Sequence, residues 1–260
     1  MLQVSRHPRI HLLLAVAALL AVGRLDVRAA RWDDTGIGLP FLRVFTTYDT
    51  GTLSHFHCAL TARDGMLYVG HHGLLAFDGE TWRPLPAPPE RMITALAEDE
   101  AGRIWIGGDN LLGYLADQPA GEPAFHSVLE RLPAEHRADL GSISALFTQS
   151  DGTIVAVAEH RIIELRATGT RVQSLPAPRP LAAWRDDSGE IIVVQPGIAT
   201  LRLAPTGMEP AGFPEPYASA GVDWGLRFPG GQRLFGSAGR LVLQQEGSTI
   251  PLATETAALL

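Results

Sequence analysis

From residue 58 onward the apolar positions fall in short runs, each introduced by a glycine turn and closed by polar residues, and not in the 3.6-residue stripe of an amphipathic helix. Asp64-Gly65-Met66-Leu67-Tyr68-Val69-Gly70 aligns with Ala101-Gly102-Arg103-Ile104-Trp105-Ile106-Gly107 and with Asp151-Gly152-Thr153-Ile154-Val155-Ala156-Val157. Two weaker copies follow at Ser188-Gly189-Glu190-Ile191-Ile192-Val193-Val194 and Gly230-Gly231-Gln232-Arg233-Leu234-Phe235-Gly236. Runs this rich in β-branched and aromatic residues fit a pleated, buried surface, and the glycine ahead of each supplies a turn. A further strand follows at Leu74-Leu75-Ala76-Phe77 and, in the second copy, at Leu111-Leu112-Gly113-Tyr114-Leu115. Asp78-Gly79 then closes a hairpin onto Thr81-Trp82. Ile93 to Asp99 reads as a strand leading into the second turn. The one departure, Val128 to Leu140, is interrupted by Pro133 and reads as a short helical insertion.

Aligned on the turn glycine, the copies stand at 65, 102, 152, 189 and 231. Such spacing is that of four-stranded units, which recur every ~40–50 residues in propeller folds. The expected fold is therefore an all-β propeller of four-stranded antiparallel blades, with about five repeats in residues 30–260. Proline-rich segments, Leu85-Pro86-Ala87-Pro88-Pro89 and Leu175-Pro176-Ala177-Pro178-Arg179, mark chain leaving one blade for the next, because proline cannot donate to a ladder.

The first 29 residues differ from the rest. Arg6, His7 and Arg9 precede an apolar run from Ile10 to Val22, and Val27-Arg28-Ala29 offers small residues for a signal peptidase. The run is too short for a bilayer-spanning helix of ~20 residues, so residues 1–29 read as a signal peptide and the remainder as periplasmic or extracellular. Cys58 is the single cysteine and reads as a small buried hydrophobe, with no partner for an internal disulfide. The net charge of −7 gives a phosphate backbone nothing to hold, which excludes nucleic acid as a partner. All 21 basic residues are arginine. With no lysine, phosphate-binding loops and Schiff-base catalysis both lack their central residue.

The quoted motifs resemble the two-component regulator propeller family, whose repeats have the form D-x-x-G-x-I-W-x-G-T-x-x-G-L. The likeness is closest in residues 41–135, in Glu98-Asp99-Glu100-Ala101-Gly102-Arg103-Ile104-Trp105-Ile106-Gly107, in Gly73-Leu74-Leu75-Ala76-Phe77-Asp78-Gly79-Glu80-Thr81-Trp82, and in the opening Phe41-Leu42-Arg43-Val44-Phe45. The resemblance implies a periplasmic sensor of a signal-transduction receptor, with seven-bladed rings and a C-terminal signalling output. Five repeats against seven make a fragment of a longer receptor the expectation.

The chemistry expected of such a chain is binding. Tyr68, His71, His72, Trp105, Asp109 and Asn110 are the candidate ligand-binding residues: two aromatics at matching register and two turns expected to converge on a loop-bearing face. Because Tyr68 and Trp105 recur at the same register, they read first as blade filling repeated around the ring and only second as ligand contacts. His55, His57, Cys58, His71 and His72 form the densest set of ligating side chains. In a strand, however, His55 and His57 share one face and Cys58 the other, so no metal is assigned. Asp64, Asp78, Asp99, Asp109 and Asp151 sit beside turn glycines, where a short carboxylate accepts backbone N–H groups, and read as turn residues before catalytic acids. No cofactor and no catalytic residue are expected. The partner is an unidentified small molecule or glycan, or a protein, and the alternatives are a stand-alone binding propeller or a propeller lyase or glycosidase.

Overall fold

A computed structural model describes residues 43–252, apart from 53–54, 89–90, 117, 119–120, 122, 179, 181, 187, 196–198, 229, 238 and 246. The signal segment lies outside the described residues. Among those residues, twenty strands form five four-stranded antiparallel sheets, each a meander in chain order. Blade 1 comprises β1 (Cys58–Thr61), β2 (Leu67–His71), β3 (Gly73–Phe77) and β4 (Trp82–Leu85); blade 2, β5 (Ile93–Glu98), β6 (Ile104–Gly108), β7 (Leu111–Ala116) and β8 (Ala124–Ser127). Blade 3 comprises β9 (Ile143–Thr148), β10 (Ile154–Ala158), β11 (Arg161–Arg166) and β12 (Gly169–Ser174); blade 4, β13 (Ala182–Arg185), β14 (Ile191–Gln195), β15 (Ala199–Ala204) and β16 (Gly207–Pro210). Blade 5 comprises β17 (Trp224–Arg227), β18 (Arg233–Ser237), β19 (Arg240–Gln245) and β20 (Ser248–Leu252). The two copies with weak sequence signatures thus form complete sheets.

The turn that the glycines mark is the same in all five blades. The amide three residues before the glycine donates to the carbonyl one residue after it, pairing Ala62 with Met66, Asp99 with Arg103, Gln149 with Thr153, Asp186 with Glu190 and Phe228 with Gln232. The glycine amide returns to the first of each pair. Gly65, Gly102, Gly152, Gly189 and Gly231 all have φ between 79° and 87°, the left-handed region that a side chain strains. This shared requirement explains why glycine is the most regular element of the repeat.

Among the described residues helix is confined to single turns: α1 (Thr47–Thr50), α2 (Ala134–Arg137), α3 (Tyr217–Ala220) and a 3₁₀ turn at Leu129–Arg131. The expected insertion at 128–140 is therefore two turns separated by Pro133, which stands at the N-cap of α2. β6, β10 and β14 are buried at every residue, as expected of strands covered on both faces.

Blades pack in sequence through their first strands: β1 and β2 against β5, β5 and β6 against β9, β9 against β13, and β13 against β17. The contact of blades 2 and 3 holds the largest apolar cluster, including Trp105, Leu112, Ile143, Leu146 and Ile163. That of blades 4 and 5 is small, with Val222, Phe235 and Val242 under Trp184, Phe213 and Tyr217.

Candidate functional site

Alternate connections of a meander lie at opposite ends of its sheet, so each blade presents two loop-bearing faces. On the first stand the glycine turns and the β3–β4 type hairpins. On the second stand the β2–β3 type turns and the connectors between blades.

The six sequence-derived candidates separate into three places. Trp105 lies inside: it is 2% exposed, its indole N–H donates to Asp99 Oδ2 at 2.9 Å, and its ring lies 5.1 Å from that of Tyr114. The blade-filling role holds for it, and it presents no surface to a ligand. Tyr68, at the same register in β2, is half-buried and reaches the first face, in a groove of about 390 Å³ between blades 1 and 2 that Asp64, Arg83 and Arg103 also line. His71, His72, Asp109 and Asn110 lie on the second face, in the equivalent β2–β3 and β6–β7 turns of adjacent blades.

His71 ends β2, half-buried, with its ring edge-on to Phe56 at 6.1 Å between centroids. Burial, then the neighbouring His72 and His57, push its pKa below the usual histidine value. The rings of His57 and His72 are 6.3 Å apart. His55 and His57 precede the strand instead of lying in it, because β1 begins at Cys58. Cys58 points its thiol at the Ile93 carbonyl, 3.7 Å away in the next blade, and burial pushes its pKa up to about 11. Among the described residues no three His, Cys, Asp or Glu side chains converge as a metal site requires. Asn110 adopts the left-handed conformation (φ 49°) and accepts the Leu140 and Gly141 amides at 3.0 and 3.1 Å on its Oδ1, so its side chain ties the long connector to the blade. Asp109 uses its backbone: its amide donates to the Met92 carbonyl, and it bridges to Ser142.

Of the aspartates read as turn residues, Asp64, Asp78, Asp99 and Asp151 accept backbone N–H groups as expected, Asp109 takes part through its backbone instead, and Asp186 adds a further case. Asp64 and Asp151 each accept the amide two residues on. Asp99 and Asp186 each accept two amides of their own turns. Asp78 accepts the Thr81 and Glu80 amides and the Thr81 hydroxyl, which lower its pKa to about 2.

The more developed polar surface of the first face lies between blades 3 and 4, which sequence reasoning missed. A groove of about 720 Å³ is lined by Gln149, Ser150, Asp151, Arg185, Asp186 and Ser188. It adjoins one of about 520 Å³ carrying Glu164, Arg166, Glu190, Arg202 and Glu209. Arg202 donates to Glu190 at 2.7 Å and Glu209 at 3.1 Å. Glu164 is buried and accepts from Arg166 and from Gln173 Nε2 at 2.7 Å. Arginines join successive blades along this face: Arg63 of blade 1 binds Glu98 of blade 2 through its amide and Nε at 2.9 and 3.0 Å, Arg185 of blade 4 the Thr148 carbonyl of blade 3 at 2.6 Å, and Arg227 of blade 5 Glu190 of blade 4 at 3.3 Å. The signal for this groove was the alignment itself, since Asp151 and Ser188 occupy the same turn position in successive repeats, and successive repeats are spatial neighbours.

Comparison with known proteins agrees with this architecture. Residues 88–110, from the connector through β5 and β6 to Asn110, match the model of the family described as two component regulator propeller. No curated protein sequence matches the chain. Among solved structures, virginiamycin B lyase from Staphylococcus aureus superposes with a TM-score of 0.60 at 14% identity, over 80% of this chain and 72% of that one. The extracellular domains of two hybrid two component systems from B. thetaiotaomicron superpose with TM-scores of 0.51 and 0.53 at 15% and 17% identity. This chain spans 28% and 27% of their length, and they cover 74% and 76% of it. At such identities these likenesses establish the fold. The chain is a propeller-type protein whose second blade matches, over residues 88–110, the model of the family described as two component regulator propeller.

Proposed function

We propose that this chain is the ligand-sensing part of an extracytoplasmic two-component receptor and that it binds without catalysing. The observation that carries the reading is the family repeat in blade 2, set in a fold shared with extracellular domains of hybrid two component systems. The first face supplies the binding surface. The grooves of blades 3 and 4 are rich in arginine, carboxylate and amide groups, the complement of a polyhydroxylated ligand such as a glycan. Their carboxylates are already engaged by arginine or by backbone N–H groups, whereas a glycosidase or lyase needs an acid free to exchange its proton with substrate.

Isothermal titration of the chain with neutral and acidic oligosaccharides tests this. The expected result is saturable binding weakened roughly tenfold or more by Arg185→Ala or Arg202→Ala, with no product released from the bound sugar. Product formation that disappears with Asp151→Asn, the fold intact, would overturn the reading in favour of a lyase.

A further inference from the structure

Side chains directly opposite one another in a ladder lie on the same side of the sheet, so the pairing registers show what each blade turns toward the next. Blades 1 to 4 carry one such row in equivalent register. It runs Leu60-Tyr68-Ala76-Arg83 in blade 1 and Ala97-Trp105-Tyr114-His126 in blade 2. In blades 3 and 4 it runs Phe147-Val155-Glu164-Arg171 and Trp184-Ile192-Arg202-Glu209. The inner two residues of every row are apolar and belong to the packing between blades. The outer two set the chemistry of the grooves on the first face.

In blades 2, 3 and 4 the outer two residues answer each other. Tyr114 and His126 stack with centroids 5.5 Å apart. Arg171 stands 3.5 Å from Glu164 and donates to the Pro205 carbonyl at 2.8 Å. Arg202 donates to Glu209 at 3.1 Å. Blade 1 breaks this pattern: the exposed Arg83 stands opposite Ala76, which can neutralise nothing, so the guanidinium charge is unanswered within its row. Beyond Ala76 in the same row stands Tyr68, two strands and hence about 10 Å from Arg83 along the backbone. Both residues line the groove of about 390 Å³ between blades 1 and 2, against the apolar side chains of Leu85 and Leu115. Asp64 lines it too and gives only one carboxylate oxygen, Oδ1, to the Met66 amide. Arg103, the other cation of the wall, is already held by Asp99 at 2.7 Å.

We propose that the groove between blades 1 and 2 is a binding site for a sugar acid, a pyranose bearing a single carboxylate. The planar fork of Arg83 matches a carboxylate, which it can hold through two parallel N–H donors. Tyr68 supplies an aromatic surface for the apolar side of the ring. Asp64 accepts hydroxyl protons with its remaining oxygen, and its charge opposes a second anionic group on the ligand. A neutral sugar leaves Arg83 without its counter-charge, and a simple anion leaves Tyr68 and Asp64 unused. The volume falls within the roughly 300–1,000 Å³ of small-molecule sites. This site shares no residue with the grooves of blades 3 and 4, so it stands or falls apart from the binding surface proposed there.

Calorimetric titration of the full chain with D-galacturonate and its linear trimer tests this, with D-galactose and sulfate for comparison. The expected result is saturable binding of galacturonate whose dissociation constant rises roughly tenfold or more in Arg83→Gln, with an unchanged melting temperature. D-Galactose and sulfate are expected to bind weaker than galacturonate by a similar factor. Arg83→Lys keeps the charge but loses the fork, and should weaken binding by a smaller factor; it gives the reading should Arg83→Gln fail to fold. A trimer that binds tighter than the monomer marks the sugar acid as part of a polymer, and equal constants mark it as free. Absence of saturable binding, or galactose or sulfate binding as tightly as galacturonate, would overturn the proposal. So would a galacturonate isotherm that responds to Arg202→Ala and not to Arg83→Gln, which would move the carboxylate to blades 3 and 4.

Discussion

Asp99 accepts the Ala101 and Arg103 amides at 3.0 Å each, the Arg103 guanidinium at 2.7 Å and the Trp105 indole at 2.9 Å. Burial taken alone would raise its pKa, but the indole and the Arg103 groups outweigh it and hold the carboxyl below the usual range. Replacing this carboxylate leaves an indole N–H inside the blade without an acceptor. Asp99→Ala is expected to cost about 2–3 kcal/mol, the range for stranding a buried donor together with a lost turn bond. For a unit of this size that is a fall in Tm of roughly 5–10 °C, read by calorimetry. Asp186→Ala removes the same turn bonds with no indole beneath and should cost less. That Asp99 belongs to a turn was legible from the glycine three residues on. That it also anchors Trp105 was not, because the two meet only when β6 folds back along β5.

At the scale of elements, the strand after each turn glycine was legible, the outermost strands of blades 2 to 5 were not, and the connectors were legible in position but not in what holds them. Glycine with φ near 80° is required in every blade, so selection by backbone geometry alone leaves a visible period. Connectors obey no such shared rule. The 128–142 segment is held by Asn110, a left-handed turn residue that lies thirty and thirty-one residues upstream of the two amides it accepts. Asn110→Ala should cost about 1–2 kcal/mol, combining the lost bonds with left-handed strain, while Asn110→Gly should recover about 1 kcal/mol of it. Urea denaturation of the two variants separates these contributions. The candidate site was legible in part for the same reason. Period places residues in equivalent turns, so His71, His72, Asp109 and Asn110 do share a face, but it does not say which side chains burial or tethering withdraws. Nor could strand alternation place His55 and His57, because the strand they were read into starts three residues after His55.

For the molecule as a whole, five sheets touch chiefly their neighbours in sequence, and the clusters between them are unequal: broad between blades 2 and 3, small between blades 4 and 5. In a quasi-one-dimensional array of this kind stability is a sum of unit and nearest-neighbour contributions, with no single core to make it uniform. Solvent hydrogens should therefore enter the backbone on a graded timetable. Amide protons of β6 and β10 are expected to be the last to exchange with deuterium, those of β14 to follow, and those of β18 and β19 to be replaced first among the inner strands of blades 2 to 5, since the apolar contact of blade 5 with blade 4 is small. Mass-spectrometric deuterium uptake would show this as a monotonic loss of protection from the second and third blades toward the fifth. Uniform uptake across all five would mean that the array opens as one cooperative unit.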